Sequence, residues 1–368
     1  MPRFLIAGGG TGGHIFPAIA IGRELRERVG DCEVLMVGTE RGLETRLVPE
    51  AGFRLLTIPV AGLKGKGFLG VCRGMQKLPG ALAASWRILA REKPSAVIGV
   101  GGYASGPVVA AAVLRRVPTL IQEQNMIPGA TNRWLAPWVR QVAVTFDETR
   151  HHLRGRGVVT GNPVRREFAS VPPRRKGRPT RHLLIFGGSQ GAAAINDGAA
   201  AALPAIAPLR GSLRIVHQTG EAGVEAMKAA YGKAGFVADV RAFISGMAGA
   251  MAEADLVVAR SGATTVAELT AAGRGSILIP FPHAIHDHQT LNARALEKSA
   301  AAVLIPQKDL TGAKLASALL DLLGDEARLD AMAAAAKGMG RPDAAARIAD
   351  LAIAVMRKDE PFDAETAP

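Results

Sequence analysis

Short apolar runs alternate along this chain with longer stretches of helical periodicity. The runs Phe4–Ala7, Glu33–Val37, Arg54–Ile58, Ala96–Val100, Thr119–Gln122 and Val142–Phe146 predict strands in the first half. His182–Phe186, Leu213–His217, Asp239–Phe243, Leu256–Ala259, Ile277–Ile279 and Ala302–Ile305 predict strands in the second. Buried runs joined by helices are the signature of βαβ units, whose right-handed crossovers build parallel sheets covered on both faces. Two such series predict an α/β protein of two Rossmann-like, doubly wound parallel-sheet domains facing a cleft. The break falls after Gly161-Asn162-Pro163, giving domains over residues 1–163 and 164–342. Between them Val171–Pro179, rich in proline and basic residues, reads as a loop or linker. A last helix over about 343–358 is expected to pack back on the first domain, and the tail from Asp359 to Pro368 to fray.

Glycine-rich turns follow three of the strands: Gly8-Gly9-Gly10-Thr11-Gly12-Gly13-His14, Gly101-Gly102-Tyr103-Ala104-Ser105-Gly106 and Gly187-Gly188-Ser189-Gln190-Gly191. A strand running through glycines into a helix presents several unpaired N–H groups at the positive end of the helix dipole, which is a phosphate cradle. Several cradles in one chain imply two phosphorylated ligands. Gly8, Gly10 and Gly13 satisfy the G-x-G-x-x-G pattern of dinucleotide folds, yet the second strand ends in Val37-Gly38-Thr39, with Glu40 late for holding a ribose. An NAD-dependent oxidoreductase is therefore a weaker reading. His14 stands at the mouth of the helix after the first cradle, where the dipole disfavours imidazolium and suits a neutral general base; the alternative is a local hydrogen bond at a helix start. In Arg260-Ser261-Gly262-Ala263-Thr264-Thr265-Val266-Ala267-Glu268, Thr265 and Glu268 read as a capping box. Equally, the N–H groups of Ala263 to Thr265 could hold a diphosphate while Glu268 accepts from a ribose diol. His283, His286 and His288 cluster around Asp287 in a loop without helical H-x-x-x-H spacing, and no Asp-x-Asp occurs. No metal or other cofactor is expected.

Composition narrows the partners. Forty-five basic against 32 acidic residues leave a net charge of +13, which favours anionic ligands or surfaces. No zinc-finger spacing or RNP-type aromatic signature points to nucleic acid. Two cysteines, Cys32 and Cys72, make no disulfide framework, and no apolar run approaches the ~20 residues that span a bilayer. The expected location is cytoplasmic, without a signal peptide. Phe68, Val71, Met75, Leu78, Leu82, Trp86 and Leu89 recur at helical spacing opposite Arg73, Lys77, Arg87 and Arg91, with a break or kink expected at Pro79-Gly80. With Lys64, Lys66 and Leu69 in the loop before it, this stretch reads either as a core stripe or as a surface resting on anionic inner-leaflet phospholipid.

Taken in order, Gly8–Ala18, Gly101–Pro107, Gln122-Glu123-Gln124-Asn125, Thr160–Arg165, Gly187–Ala192, Arg260–Ala263 and Asp287–Ala293 resemble one family over Arg3 to about Ala354. It is the undecaprenyldiphospho-muramoylpentapeptide β-N-acetylglucosaminyltransferases, which form lipid II. The resemblance implies a GT-B glycosyltransferase at the cytoplasmic face of the bacterial cell membrane. Its donor would be UDP-N-acetylglucosamine, its acceptor lipid I, and cell-wall synthesis or division complexes its protein partners. It assigns donor contacts to Thr11, Gly12, Gly13, Asn125, Arg165, Ser189, Ile244 (meeting uracil through its backbone), Ala263, Thr264, Thr265, Val266, Ala267, Glu268 (on the ribose) and Gln289 (on sugar hydroxyls). Gly10, Gly101, Gly102, Tyr103 and Ser105 would face the acceptor diphosphate, His14 would be the base, and Phe68, Leu69, Met75, Trp86, Lys64 and Lys66 would meet the membrane. The His283–His288 loop receives no role. A UDP-N-acetylglucosamine 2-epimerase and a non-catalytic UDP-sugar-binding protein are the rival readings on the same architecture.

Overall fold

A computed structural model describes residues 1–10, 12–40, 42–60, 67–188, 190–284 and 287–357, with the backbone alone over 67–77. It divides into two units, Met1–Arg165 with Asp343–Pro368, and Arg166–Pro342.

The first unit holds strands β1 (Arg3–Ala7), β2 (Glu33–Thr39), β3 (Arg54–Ile58), β4 (Ala96–Gly99), β5 (Thr119–Glu123), β6 (Gln141–Val144) and β7 (Val158–Val159). All pair in parallel in the order β3-β2-β1-β4-β5-β6-β7. Successive side chains alternate between faces. Phe4, Ile6, Val34, Met36 and Ile98 pack with helix Gly12–Val29 and with Ile348, Ala349, Leu351 and Ala352 of the last helix, Ala344–Arg357. Leu5, Ala7, Val37, Val97, Ile121 and Val142 face the other way, onto helices Gly67–Glu92, Ser105–Leu114 and Ala130–Leu135.

The second unit repeats the plan with β8 (Arg181–Phe186), β9 (Leu213–Gln218), β10 (Val237–Arg241), β11 (Leu256–Ala259), β12 (Ser276–Leu278) and β13 (Ala302–Leu304), all parallel, in the order β10-β9-β8-β11-β12-β13. Leu183, Ile185, Leu256, Val258 and Ile277 form one core with helices Ala193–Ala202, Val224–Ala234 and Gly312–Leu323. Their neighbours Leu184, Phe186, Val257 and Leu278 are buried on the opposite face.

Four expectations change. The strand expected at Asp239–Phe243 lies two residues earlier, because Val237 pairs with Arg214, and Phe243 is left exposed beyond the sheet. β7 is too short to leave a pattern in the sequence. Helix Gly67–Glu92 runs unbroken through Pro79-Gly80; proline removes one ladder bond, and Ala81, Ser85, Ile88 and Leu89 anchor the following turns in the core. Helix Ala263–Ala272 starts from Gly262, so Thr265 lies inside the first turn and caps nothing.

Candidate functional site

In a doubly wound sheet, ligands gather where the strand order reverses, beyond the carboxyl ends of the two central strands. In the first unit those strands are β1 and β4, and they run directly into the first and second glycine turns. In the second they are β8 and β11, which lead into the third glycine turn and into Arg260-Ser261-Gly262. All four turns singled out in the sequence thus sit at switch points.

The first two turns are built together. Gly101 and Gly102 have φ of +91° and +80°, in the left-handed region that favours glycine. A Cβ on Gly101 would come within 2.9 Å of the His14 ring, and one on Gly102 would collide with the Gly9 carbonyl. His14 Nδ1 lies 3.0 Å from the Val100 carbonyl. A carbonyl only accepts, so Nδ1 carries a proton at this contact. Tyr103 borders Gly10, and the Arg165 guanidinium lies 4.7 Å from the Phe16 ring, one residue position past Ile15 on the His14 helix. Ser105 is fully buried at the start of the helix that follows the second turn. The Gly10 N–H donates to Glu44 Oε2 at 3.1 Å, so that group is already engaged.

Asn125 is held by its neighbour: Glu123 Oε1 accepts from the Asn125 backbone N–H at 3.0 Å and from its Nδ2 at 3.3 Å. Glu123 also takes Gly129 N–H and Asn132 Nδ2, so four donors surround a carboxyl whose pKa burial pushes up. Thr11, Ser189, Lys64, Lys66 and His286 lie outside the described residues, as do the side chains of Phe68, Leu69 and Met75.

In the second unit, Ala263, Thr264 and Thr265 precede the first intrahelical bond, Val266 N–H to Gly262 O at 2.9 Å. Thr264 and Glu268 stand four residues apart, on one face of that helix. Glu268 is buried, and Val266 and Ala267 complete the turn between them. Gln289 Oε1 accepts from Phe281 N–H at 2.9 Å, which leaves its Nε2 as the group to offer a ligand. Ile244 N–H is taken by Gln218 Oε1 at 2.8 Å, and Gln218 Nε2 donates to Gly188 O at 2.7 Å. Reversing the amide would set donor against donor and acceptor against acceptor, so Gln218 ties Ile244 to the third glycine turn in one orientation. The sequence reading missed it. Its only signal was a polar residue ending a buried parallel strand.

Behind that turn His217 is fully buried, with Nδ1 2.9 Å from the Tyr231 hydroxyl and Nε2 3.1 Å from Asn196 Oδ1. Asn196 Nδ2 in turn donates to Thr219 O, against which Gly191 packs. Burial drives the His217 pKa down to about 4. The unfolded chain therefore takes up this proton first as pH falls. The stabilisation is complete above about pH 6.5 and is lost between 6.5 and about 4, by up to about 3 kcal/mol. Denaturant unfolding of the wild type at pH 7 and 4.5 should show a drop that is smaller in His217→Gln, which leaves the share of His182, whose pKa burial also lowers.

Among the described residues no group of three or more His, Cys, Asp and Glu is placed to hold a metal ion, and no helix is long and apolar enough to cross a membrane.

The N-terminal and C-terminal domain models of glycosyltransferase family 28 match residues 4–144 and 182–348. The UDP-N-acetylglucosamine–N-acetylmuramyl-(pentapeptide) pyrophosphoryl-undecaprenol N-acetylglucosamine transferase of Myxococcus xanthus is 48% identical over 99% of this chain and 98% of its own. The protein of that name from Geobacter sulfurreducens is 47% identical over 97% and 100%. Among solved structures, Acinetobacter baumannii MurG matches with a TM-score of 0.79 at 33% identity, over 96% of this chain and 99% of its own. UDP-GlcNAc 2-epimerase from Neisseria meningitidis, solved with UDP-GlcNAc, matches at 0.66 but with 11% identity, over 95% and 99%, and so shares the fold alone. With both domain models matched and near-half identity from end to end, the chain belongs to glycosyltransferase family 28, among the N-acetylglucosamine transferases that carry this long name.

Proposed function

We propose that the protein transfers N-acetylglucosamine from UDP-N-acetylglucosamine to the C4 hydroxyl of the N-acetylmuramoyl unit of lipid I, forming lipid II for peptidoglycan. The observation that carries this reading is the end-to-end identity to transferases of that name, together with phosphate-type turns at the switch points of both units. The epimerase alternative rests on shared fold at low identity, and the second strand ends in Thr39 without the acid an oxidoreductase would set on a ribose.

Chemically, the acceptor hydroxyl attacks the anomeric carbon as UDP departs, inverting to a β-1,4 link. His14, through Nε2, takes the hydroxyl proton; its Nδ1 bond to Val100 O fixes the tautomer that makes this feasible. Gly101, Gly102 and Tyr103 face the acceptor diphosphate. In the second unit, Ala263 to Thr265 and the third glycine turn meet the donor diphosphate, Glu268 the ribose, Ile244 the uracil and Gln289, through Nε2, the sugar. Thr11, Gly12, Gly13, Asn125, Arg165 and Ser189 complete the donor set. Fixed N–H dipoles and Arg165 stabilise the leaving diphosphate without reorganising. Gln218→Leu, which frees Ile244 from Gly188, should raise KM for UDP-N-acetylglucosamine about tenfold with kcat within about threefold, read from initial rates.

A membrane contact is part of this proposal. Leu78, Trp86, Leu114 and Trp134 are exposed on the three helices that cover one face of the first sheet, Trp138 is exposed in the turn just after the third, and Arg115 lies 4.7 Å from the Trp86 ring. Exposed tryptophans beside arginines suit an anionic lipid interface. Trp86→Ser with Trp134→Ser should weaken sedimentation with phosphatidylglycerol vesicles about tenfold or more, leaving the melting temperature in place.

The deciding assay follows radiolabelled N-acetylglucosamine from the UDP-sugar onto a lipid I analogue. Label in the lipid fraction supports the reading; thermal stabilisation by NAD(H) but not by the UDP-sugar would overturn it.

A further inference from the structure

The first glycine turn already has an occupant. Glu44 opens the helix Glu44–Glu50, and its side chain is 1% exposed. Besides Gly10 N–H on Oε2, its Oε1 accepts from Thr39 N–H at 2.8 Å and from the Thr39 hydroxyl at 2.6 Å. Gly9, Gly38 and Gly42 wall it in, since a Cβ on any of them would run into the Glu44 side chain. Burial acts to raise its pKa, but the bonds from Thr39 and Gly10 outweigh it and hold the carboxyl below the ordinary carboxylate value. The charge sits at the base of an interlocked assembly. Gly9 packs on Gly102, Gly101 packs on the His14 ring, and Gly8 N–H donates to Val37 O at 3.0 Å.

In a dinucleotide fold this turn points its N–H groups at a ligand pyrophosphate. Here one of them points at an anion that the chain supplies. We propose that Glu44 is a positioning residue of the transfer site: its carboxylate takes the anion position at Gly10, holds the first turn in the shape that seats His14, and withholds that N–H from ligand phosphates. The inference rests on the transferase reading above. It accounts for a G-x-G-x-x-G pattern that carries no dinucleotide, and it leaves the acceptor diphosphate to the second turn.

The test compares full-length wild type, Glu44→Ala and the near-isosteric Glu44→Gln. Each is assayed for transfer to a lipid I analogue, and for inhibition by inorganic pyrophosphate against that acceptor at saturating UDP-N-acetylglucosamine. Loosening the turn should lower kcat about tenfold or more in Glu44→Ala and about threefold in Glu44→Gln, with donor KM within about threefold. Removing the resident charge should also make pyrophosphate inhibit at roughly fivefold lower concentration in both. A role confined to stability would reduce active protein without sharpening that inhibition. Unchanged kcat in both variants, or unchanged pyrophosphate sensitivity, overturns the proposal. If Glu44→Ala does not fold, Glu44→Gln carries the same comparison. A wild type that moves no N-acetylglucosamine refutes the transferase reading instead.

Discussion

Replacing His14 with alanine should lower kcat for lipid II formation by about 10²–10⁴-fold, the range a positioned general base contributes. Donor KM should stay within about threefold, because the proposed donor contacts of the second unit are untouched. His14→Gln makes the sharper comparison. Its amide can still donate to the Val100 carbonyl and so keep the local packing against Gly101, but it has no basic nitrogen. If the ring serves only to brace the second turn, His14→Gln recovers most of the activity lost in His14→Ala. If it is the base, both variants are equally slow while circular dichroism and UDP binding match the wild type. Initial rates at saturating donor and acceptor separate the two outcomes.

Much of the fold is legible in the sequence for a single reason. Strands buried on both faces leave dense apolar runs, and those runs mark the central strands β1, β2, β4, β5, β8 and β11, whereas the edge strands β3 and β10 are partly exposed. Shortfalls come where pairing, not composition, decides: β7 has two residues, and β10 takes its register from β9. Local rules also lost to context. The Thr265/Glu268 capping pattern is sound in itself, but the tight turn after β11 starts the helix at Ala263. For the site, the glycine turns and His14 are visible because strand, turn and helix are contiguous in the chain. Glu44 and Gln218 are not, because the glycine-turn partner of Glu44 lies 34 residues away and the partners of Gln218 lie 26 and 30 away. The second strand ends at Thr39, followed by Glu40, with no acid in the ribose-binding position. Glu44, at the start of the helix after that strand, is turned inward onto the glycine turn.

Arg174→Met should destabilise the second unit by about 3–5 kcal/mol, the usual cost of stranding one partner of a buried ion pair. The segment Val171–Pro179, which reads as a basic linker, is fastened to that unit. The Arg174 side chain is 2% exposed and donates to Asp255 at 2.9 Å, to Asp330 at 2.9 and 2.6 Å, and to Glu326 at 3.2 Å. Arg274, fully buried, closes the same corner by donating to the carbonyls of Met251, Ala252, Ala272, Gly273 and Pro172. Asp330 and Glu326 are partly exposed and can rehydrate when the arginine is lost. Asp255 cannot: its side chain is 1% exposed, with Oδ2 accepting His182 N–H at 2.8 Å. The penalty therefore belongs to Asp255, and Arg174→Met with Asp255→Asn should cost less than Arg174→Met alone, since a neutral amide still accepts from His182. Acid gives an independent check. Hydrogen bonds from Gly177, Arg181 and Arg174 lower the Glu326 pKa to about 2, and Asp330 is lowered as well. Folded values below the unfolded ones mean stability that is complete above the ordinary carboxylate range and lost as pH falls from about 4.5 toward 2. Arg174→Met should flatten this acid step. Thermal melts of the three proteins at neutral pH, where 3–5 kcal/mol corresponds to roughly 6–20 °C in a domain of this size, and again at pH 3, decide the matter. Equal losses in the single and double variants would mean that the arginine is held for its packing and not for the buried charge.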